Sequence, residues 1–233
     1  MSTAPPLPVR LSIVVPMLNE ASAIERTLGA LAPMRARGVE VIVADGGSLD
    51  GSAALAAPLA DAVIAAPRGR ARQMNAGAAA SHGAAILFLH ADTALPPDAD
   101  GLIIAAMEQH KAAWGRFDVT IEGRSLMLPV VAALMNQRSR LTGIATGDQA
   151  MFVQRAVFFA VGGFPEQPLM EDIELSCRLK KRSAPVCLAQ RVTTSGRRWD
   201  THGAWRTIFL MWTLRLRYWL GAGADTLAKA YRR

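Results

Sequence analysis

Four places along the chain carry acidic side chains whose types and neighbours suit catalysis or metal binding. They are Asp45 with Asp50, Asp92, Asp148, and Glu171 with Asp172. An ionised carboxylate accepts hydrogen bonds from hydroxyl and N–H groups, or it binds a divalent cation that bridges to phosphate. Acidic groups do not suit bare phosphate. The four places therefore indicate a ligand with hydroxyl or N–H donors, or a phosphate that is bound through a metal.

The segment VEVIVADGGSLDG, residues 39–51, contains the first two of these carboxylates. Its β-branched apolar run is typical of a buried parallel strand, because both faces of such a strand are covered. Asp45 and Asp50 follow the run within a glycine-rich loop. Ligands of open α/β sheets bind at the carboxyl ends of the strands, so this loop is expected to line a ligand site. Capping of the following helix is the alternative role for Asp50.

Strands alternate with helices through the first half of the chain, which predicts an α/β fold with a parallel, doubly wound sheet. Strands are predicted at 11–15, ended by Pro16, and at 39–44, 60–66 and 84–90, with helices at 20–32, 70–82 and 98–111. The second half is less regular, with predicted strands at 114–123 and 147–153 and a helix at 171–181. An apolar segment at 125–135 is too short to span a bilayer, which needs about 20 residues.

The positive charge of the chain is concentrated at its C-terminal end. Residues 1–190 hold 17 basic and 17 acidic side chains, whereas residues 191–233 hold nine basic and two acidic ones, which accounts for the whole net charge of +7. We therefore predict a neutral domain at residues 1–203 and a basic amphipathic helical tail at residues 204–233. Such asymmetry suggests an anionic partner, either nucleic acid or an anionic membrane surface.

Cysteine usage and the N-terminal residues favour a cytoplasmic protein. Cys177 and Cys187 have no metal-ligand spacing and imply no disulfide framework, which favours a reducing compartment. The residues MSTAPPLPVR lack the charged and apolar regions of a signal peptide. The aromatic and basic stretch 205–221 fits either a helix in the headgroup region of a membrane or a final helix packed on the core. The first alternative would place the protein on the inner face of the plasma membrane.

Seven motifs, taken together and in this order, resemble the inverting family 2 glycosyltransferases of the GT-A fold. They are VVPMLNE (14–20), ADGGSLDG (44–51), RARQMNAG (70–77), HAD (90–92), GDQAMF (147–152), GGF (162–164) and MEDIEL (170–175). The resemblance covers roughly residues 11–190 and is strongest to a small bacterial subgroup with HAD in place of Asp-x-Asp. It implies a GT-A fold with a mostly parallel central sheet flanked by helices.

The resemblance also implies a pocket for a nucleoside diphosphate sugar, with a UDP-sugar as the default donor. It assigns donor contacts to Pro16, Asn19, Glu20, Asp45, Gly46, Arg70, Arg72, Gln73, Asn75 and Ala91. Asp45 would accept an N–H group of the base, and the two arginines at a helix N-terminus suit a nucleotide or diphosphate. Helix capping is the alternative for Asn19 and Glu20, and a solvated basic turn is the alternative for the arginines.

The residues of the reaction follow from the same resemblance. Asp92 would hold a divalent cation, Mg²⁺ or Mn²⁺, that neutralises the departing nucleoside diphosphate. His90 stands where the family usually has an aspartate, and its role stays open between a ribose or metal contact and a strand-end hydrogen bond. Asp172, paired with Glu171, would be the general base for the acceptor hydroxyl, the alternative being stabilisation of a helix N-terminus. Gly147, Asp148 and Gln149 would lie near the acceptor or the donor sugar.

The sequence therefore predicts an inverting glycosyltransferase that moves a sugar to a hydroxyl acceptor, and the tail leaves a lipid-linked acceptor open. A sugar nucleotidyltransferase is one alternative, but it would need a glycine-rich loop with a basic residue after the first strand, where this chain has VVPMLNE. A non-catalytic module that binds nucleotide sugar and docks on membrane is the second alternative. A nucleic-acid binder is disfavoured because the domain is neutral and no motif of that class is present.

Overall fold

The computed structural model describes residues 10–110 and 112–231, which form eight strands and ten α-helices. The strands are β1 Leu11–Met17, β2 Glu40–Asp45, β3 Ala62–Ala65, β4 Ala85–Phe88, β5 Thr93–Ala94, β6 Trp114–Glu122, β7 Phe152–Gln154 and β8 Val186–Ser195. The helices are α1 Ile24–Ala36, α2 Ser52–Ala56, α3 Arg70–Ala80, α4 Ala99–His110, α5 Leu128–Thr142, α6 Arg155–Ala160, α7 Glu171–Lys180, α8 Arg197–His202, α9 Ala204–Trp219 and α10 Ala224–Tyr231. A 3₁₀ turn, Gly147–Gln149, lies between α5 and β7.

All eight strands belong to one sheet in the order β3-β2-β1-β4-β7-β6-β8-β5. The first four are parallel, as the alternation of strands and helices predicts, and β6 also pairs parallel with β8. β7 runs antiparallel between β4 and β6, and β5 runs antiparallel beside β8. Four of the seven pairings are therefore parallel, which confirms an α/β fold with a mostly parallel central sheet flanked by helices.

Two predicted boundaries near the start of the chain are wrong. β1 does not end at Pro16 but continues to Met17. The pairing of β1 with β4 already ends at Val14, so the missing N–H of Pro16 removes no hydrogen bond to β4. α1 begins at Ile24 instead of residue 20. The reason is that Asn19 has a left-handed φ of 54°, so the chain turns before the helix can start.

Later elements differ more from the prediction. The strand predicted at 147–153 is the 3₁₀ turn followed by the shorter β7, because Ala150 has a φ of 46° that interrupts extended backbone. The apolar segment at 125–135 opens α5, where Pro129 lies in the first helical turn and needs no intrahelical N–H bond. α1 runs past residue 32 and contains Pro33, since the flanking turns stay buried. Neither β8 nor α8 is among the predicted elements.

Two apolar cores cover the two faces of the sheet. One packs α1, α2, α4 and α5 on the strands and includes Ile13, Leu28 and Phe117. The other packs α3, α6 and α7 and includes Val14 and Leu175. Successive residues of β1 thus point into opposite cores, and burial on both faces is the reason that this strand is a continuous apolar run.

Gly77 lets α3 approach β1 closely, and this contact fixes the start of α3 at the ligand edge of the sheet. A Cβ at position 77 would lie 2.3 Å from Val14 Cγ1, whereas a Cβ at Gly29 of α1 would meet nothing within 4 Å. We expect Gly77→Ala to lower the free energy of unfolding by about 1–3 kcal/mol through overpacking. The control Gly29→Ala is expected to raise it by about 0.5–1 kcal/mol. Urea unfolding measures both, and equal effects would contradict the close contact.

The two C-terminal helices pack on the rest of the chain. Leu214 of α9 and Leu227 of α10 form a third buried cluster with Leu169 and Met170, which precede α7. The predicted tail at 204–233 is therefore a helix pair as far as it is described, and the domain boundary at residue 203 stays a prediction. In residues 10–110 and 112–231, no helix combines the length and the apolar character that a membrane crossing requires.

Candidate active site

A cleft of about 1110 Å³ opens at the carboxyl ends of β1 and β4, between α3 and the C-terminal helices. Eight predicted site residues line it: Pro16, Glu20, Arg70, Arg72, Gln73, Ala91, Asp92 and Asp148. The other eight are not among its lining residues: Asn19, Asp45, Gly46, Asn75, Gly147, Gln149, Glu171 and Asp172. Several of these eight hold the loops and helix ends that form the walls, as the following contacts show.

The loops after β1 and β2 are tied together by side chains. The N–H of Asn19 donates to Ser48 Oγ at 2.9 Å, and the N–H of Leu49 donates to Asn19 Oδ1 at 2.8 Å. Asp45 accepts the hydroxyl of Ser48 at 2.5 Å and is half-buried at the strand end. Asn19 thus acts on a loop rather than on a helix end, which differs from the capping alternative.

Asp50 holds backbone at the start of α2. Its carboxylate accepts the N–H of Ser52 at 3.0 Å and the N–H of Ala21 at 3.0 Å. The hydrogen bond from the Ser52 hydroxyl is the main reason that the pKa of Asp50 lies below its ordinary value. These contacts favour the structural alternative for Asp50.

Gln73 and Asn75 of α3 bond backbone groups around the cleft. The buried amide of Gln73 donates to the carbonyl oxygens of Met17 and Ala44, at 2.7 and 2.9 Å. Asn75 donates to the carbonyl of Phe164 at 2.8 Å and accepts its N–H at 2.9 Å. Both side chains therefore fix the ends of β1 and β2 and the GGF loop, and their contact with a donor stays a prediction.

Asp92 reaches the cleft because the short β5 that follows it pairs with β8. Thr93 is paired antiparallel with Thr194, which brings Asp92 beside the start of α8. There Nη2 of Arg197 lies 3.4 Å from Asp92 Oδ2 and 3.4 Å from Glu20 Oε2. Two carboxylates from separate loops thus face one cationic position.

This arrangement fits a divalent cation. Mg²⁺ is usually held by one or two carboxylates together with substrate phosphates, rather than by a cage of protein ligands. In the described part of the chain, no three His, Cys, Asp or Glu side chains are grouped to hold a metal ion, so phosphates would complete the coordination. Glu20, predicted as a nucleoside contact, therefore joins Asp92 as a candidate metal ligand.

His90 and Asp148 form a second polar pair in the cleft. His90 Nδ1 lies 3.4 Å from Asp148 Oδ1, and a Cβ at Gly147 would come within 2.5 Å of His90 Nε2. Only glycine allows the turn to approach the imidazole so closely. Burial raises the pKa of Asp148. The hydrogen bond from His90 and the positive charges of His90, Arg70 and Arg138 outweigh this effect, so the pKa of Asp148 lies below its ordinary value.

The first turn of α7 connects the acidic pair to this turn. Asp172 accepts the N–H of Gly147 at 3.0 Å, which ties α7 to the segment that carries Asp148. Glu171 is buried, and its Oε1 lies 3.6 Å from a guanidinium nitrogen of Arg70. Burial and the charge of Asp172 raise the pKa of Glu171, although the charge of Arg70 opposes the rise. The predicted base Asp172 and the predicted acceptor contact Asp148 therefore lie on two segments that are hydrogen-bonded to each other.

Two arginines, one beside these carboxylates and one in the cleft lining, are not among the site residues predicted from the sequence. Arg138 of α5 is attracted electrostatically by Asp172 and Asp148, and its Nε and Nη2 are buried with no hydrogen-bond partner among the described residues. Arg198 of α8 donates to the carbonyl of Tyr231 at 2.8 Å, and its guanidinium lies 3.6 Å from the centroid of the Tyr231 ring. These two contacts hold the end of α10 at the cleft. A run of two arginines and a tryptophan marks α8 in the sequence, whereas nothing marks an arginine within α5.

A sequence model of the family described as Glycosyl transferase family 2 matches residues 12–161. The match extends from β1 into the turn after α6, and it includes Asp45, Asp92 and Asp148 but ends before α7. No curated protein sequence matches the chain.

Solved structures show the same fold at low sequence identity. The mannosyltransferase PcManGT from Pyrobaculum calidifontis, in complex with GDP-Man and Mn²⁺, is 19% identical with a TM-score of 0.67, over 97% of this chain and 70% of that chain. Glucosyl-3-phosphoglycerate synthase from Mycobacterium tuberculosis, in complex with Mg²⁺ and UDP, is 21% identical with a TM-score of 0.60, over 78% of this chain and 69% of that chain.

TarS of S. aureus, residues 1–349 in complex with UDP, is 16% identical with a TM-score of 0.65 over 80% of this chain. The match covers 60% of the TarS structure, so this chain spans less than two thirds of its length. These likenesses confirm the predicted GT-A fold.

Proposed function

The chain belongs to glycosyl transferase family 2, and we propose that it moves a sugar from a nucleoside diphosphate sugar to a hydroxyl acceptor with inversion at the anomeric carbon. The observation that carries the proposal is the convergence in one cleft of arginines and two carboxylates that face one cationic position. The acidic start of α7 is joined to the wall of this cleft through Arg70 and through the turn that carries Asp148. The similar solved structures hold GDP-Man or UDP, which supports a nucleotide sugar as the donor.

The donor is proposed to lie between the ends of β1 and β2 and the start of α3. Asp45 accepts an N–H group of the base, which is uracil by default. Pro16 lines the cleft and pairs in the sheet with Ala44, the residue before Asp45. Arg70 and Arg72 stand in the first turn of α3, where the helix N-terminus also favours the negative charge of a diphosphate. Oε1 of the buried Glu171 lies 3.6 Å from Nη1 of Arg70 and stabilises the position of its guanidinium.

Asp92 and Glu20 are proposed to hold the divalent cation, Mg²⁺ or Mn²⁺. When bound, the cation neutralises the charge that develops on the leaving nucleoside diphosphate. Arg197 stands between the two carboxylates, at 3.4 Å from each, so it must move when a cation binds there. Its guanidinium is then free to bind oxygens of the diphosphate, for which a planar fork of N–H donors is well suited.

Asp172 is proposed as the general base. It is the more exposed carboxylate of the acidic pair, and it takes the proton from an acceptor hydroxyl that attacks the anomeric carbon opposite the leaving group. The N–H of Gly147 orients this carboxylate, at 3.0 Å. Asp148 contacts the acceptor or the donor sugar, and the buried Gln149 holds the turn that carries it.

We further propose that the acceptor is lipid-linked and that the protein works in the cytoplasm at an anionic membrane surface. α9 carries three arginines, Arg206, Arg215 and Arg217, together with exposed aromatic side chains. That combination is typical of helices that lie in the headgroup region of a bilayer. Nucleic acid would explain the arginines and, through base stacking, the aromatic side chains, but not the exposed Leu216 and Leu220 next to them.

A thermal-shift panel on the full chain tests the donor assignment. UDP- and GDP-sugars are added with and without Mn²⁺ or Mg²⁺, and a donor at one hundred times its Kd is expected to stabilise the native state by about 2.7 kcal/mol. The shift is expected to be larger with the cation, because phosphates and carboxylates bind it together. A panel in which no donor raises the melting temperature would contradict the proposed function.

A further inference from the structure

One face of α9 is an exposed aromatic stripe. Trp205, Phe209, Trp212, Leu216 and Trp219 recur at intervals of four and three residues, so they share one side of the helix. Exposure is 61% for Trp205, 62% for Trp212 and 80% for Trp219. The opposite side packs against the rest of the chain through Thr207 and Leu214, among others. The stripe is therefore not a face that the fold itself covers.

A second apolar stripe lies on α5. Val130 and Leu134 of α5 and Leu126 in the turn before it are spaced by four residues and are exposed, Leu126 by 94%. Of the twelve large hydrophobic side chains that are exposed in the described residues, ten lie on or directly beside α5 and α9. A single exposed apolar residue needs no explanation, but such a concentration marks an interaction surface.

The two helices adjoin segments that line the cleft. α8, which leads into α9 through Gly203, lies against the start of α5, because Asp200 accepts the N–H of Arg124 at 2.9 Å. Met135 of α5 and Trp199 of α8 both line the cleft. A partner that covers the α9 stripe would therefore lie close to α8, three residues of which line the cleft.

The charges on α9 favour one occupant. Arg206 and Arg217 are exposed beside the stripe, and Asp225 is the one acidic residue between positions 204 and 231. Anionic lipid headgroups attract such arginines while aromatic side chains enter the boundary of the acyl chains. In a twofold dimer through the same stripe, arginines of both copies would approach each other without acidic counter-charges, which is unfavourable.

We propose that the α9 stripe docks on an anionic lipid bilayer, with α9 in the plane of the headgroups and the α5 stripe as a second contact. Docking through α9 brings the cleft near the membrane surface, where a lipid-borne hydroxyl can enter it. The identity of the acceptor rests on the proposed function, whereas the docking of α9 does not.

Vesicle flotation of the full chain without donor tests the docking. With vesicles of phosphatidylcholine and phosphatidylglycerol, we expect the wild type to float and the triple variant Trp205→Ser, Phe209→Ser, Trp212→Ser to bind at least about tenfold more weakly. Phosphatidylcholine alone and high salt are expected to weaken wild-type binding, because headgroup attraction is screened. The control Phe159→Ser removes an exposed aromatic side chain from α6 and is expected to float like the wild type.

Two further measurements exclude trivial outcomes. A cooperative thermal unfolding transition without ligand shows that a variant is folded, and Arg206→Gln with Arg217→Gln, which keeps the stripe, replaces the triple variant if the latter fails to fold. A wild type that does not float, or a folded variant of either kind that floats equally well, overturns the proposal. The proposal is also overturned if light scattering shows that the wild type is a dimer and the triple variant a monomer, and the wild type does not bind vesicles. A protein that floats but gives no donor shift retains the docking and loses the proposed function.

Discussion

Replacing Asp172 with asparagine is expected to lower the rate of sugar transfer by about 10²- to 10⁴-fold, the usual contribution of a general base. The affinity for the donor is expected to stay unchanged. The carboxamide keeps the shape of the side chain, and its oxygen can still accept the N–H of Gly147 that Asp172 accepts at 3.0 Å. It cannot take a proton from an acceptor hydroxyl. The variant therefore separates the chemistry from the positioning of the turn.

Release of nucleoside diphosphate in the presence of acceptor measures transfer, and the thermal shift with donor measures binding. Glu174→Gln is the matched control, because Glu174 lies on the same helix and pairs with Arg178 at 3.0 Å. It is expected to change neither quantity by more than about twofold, as is usual for a solvent-accessible ion pair. Wild-type transfer by Asp172→Asn would remove Asp172 as the base. Loss of transfer in Glu171→Gln alone, with the donor shift retained, would instead give that role to Glu171, whose pKa is raised.

The first half of the fold could be predicted because its strands are buried on both faces. Mainly apolar runs such as residues 11–15 and 39–44, interrupted only by Ser12 and Glu40, leave few alternatives to a buried strand. β8 was not predictable in this way, since much of it is half-buried or exposed and carries Gln190 and Arg191 in its middle. β7 has three residues, and its antiparallel position between β4 and β6 depends on partners far away in sequence.

The sequence predicted which types of residue form the candidate site, but it did not predict which groups these side chains contact. Gln73 and Asn75 have the polar character of ligand contacts, yet both bond backbone of neighbouring segments. A sequence does not show whether a polar side chain beside a glycine faces a ligand or a carbonyl oxygen. Likewise, Arg197 meets Glu20 across 177 positions and Asp92 across 105, and only the pairing of β5 with β8 brings these segments together.

Replacing Asp92 with asparagine is expected to remove the metal-dependent part of donor binding and to lower transfer by about 10³-fold, since a catalytic cation supplies several kcal/mol. Asp92 is half-buried at the cleft and shares Arg197 with Glu20, at 3.4 Å from each. A neutral amide leaves one carboxylate at that position. A divalent cation then has one charged protein ligand fewer, while Arg197 still competes for the remaining one.

The thermal shift of donor with and without Mn²⁺ is the decisive measurement, because it does not depend on turnover. Asp98→Asn is the matched control. Asp98 is exposed on the connection between β5 and α4, and its replacement removes the same charge close to Asp92 in the sequence. We expect the control to keep the increment that Mn²⁺ adds to the donor shift and Asp92→Asn to lose it. If Asp92→Asn kept the full increment, the cation would have to bind elsewhere. The pairing of Arg197 with Asp92 and Glu20 would then serve only to hold α8 against the ends of β1 and β4.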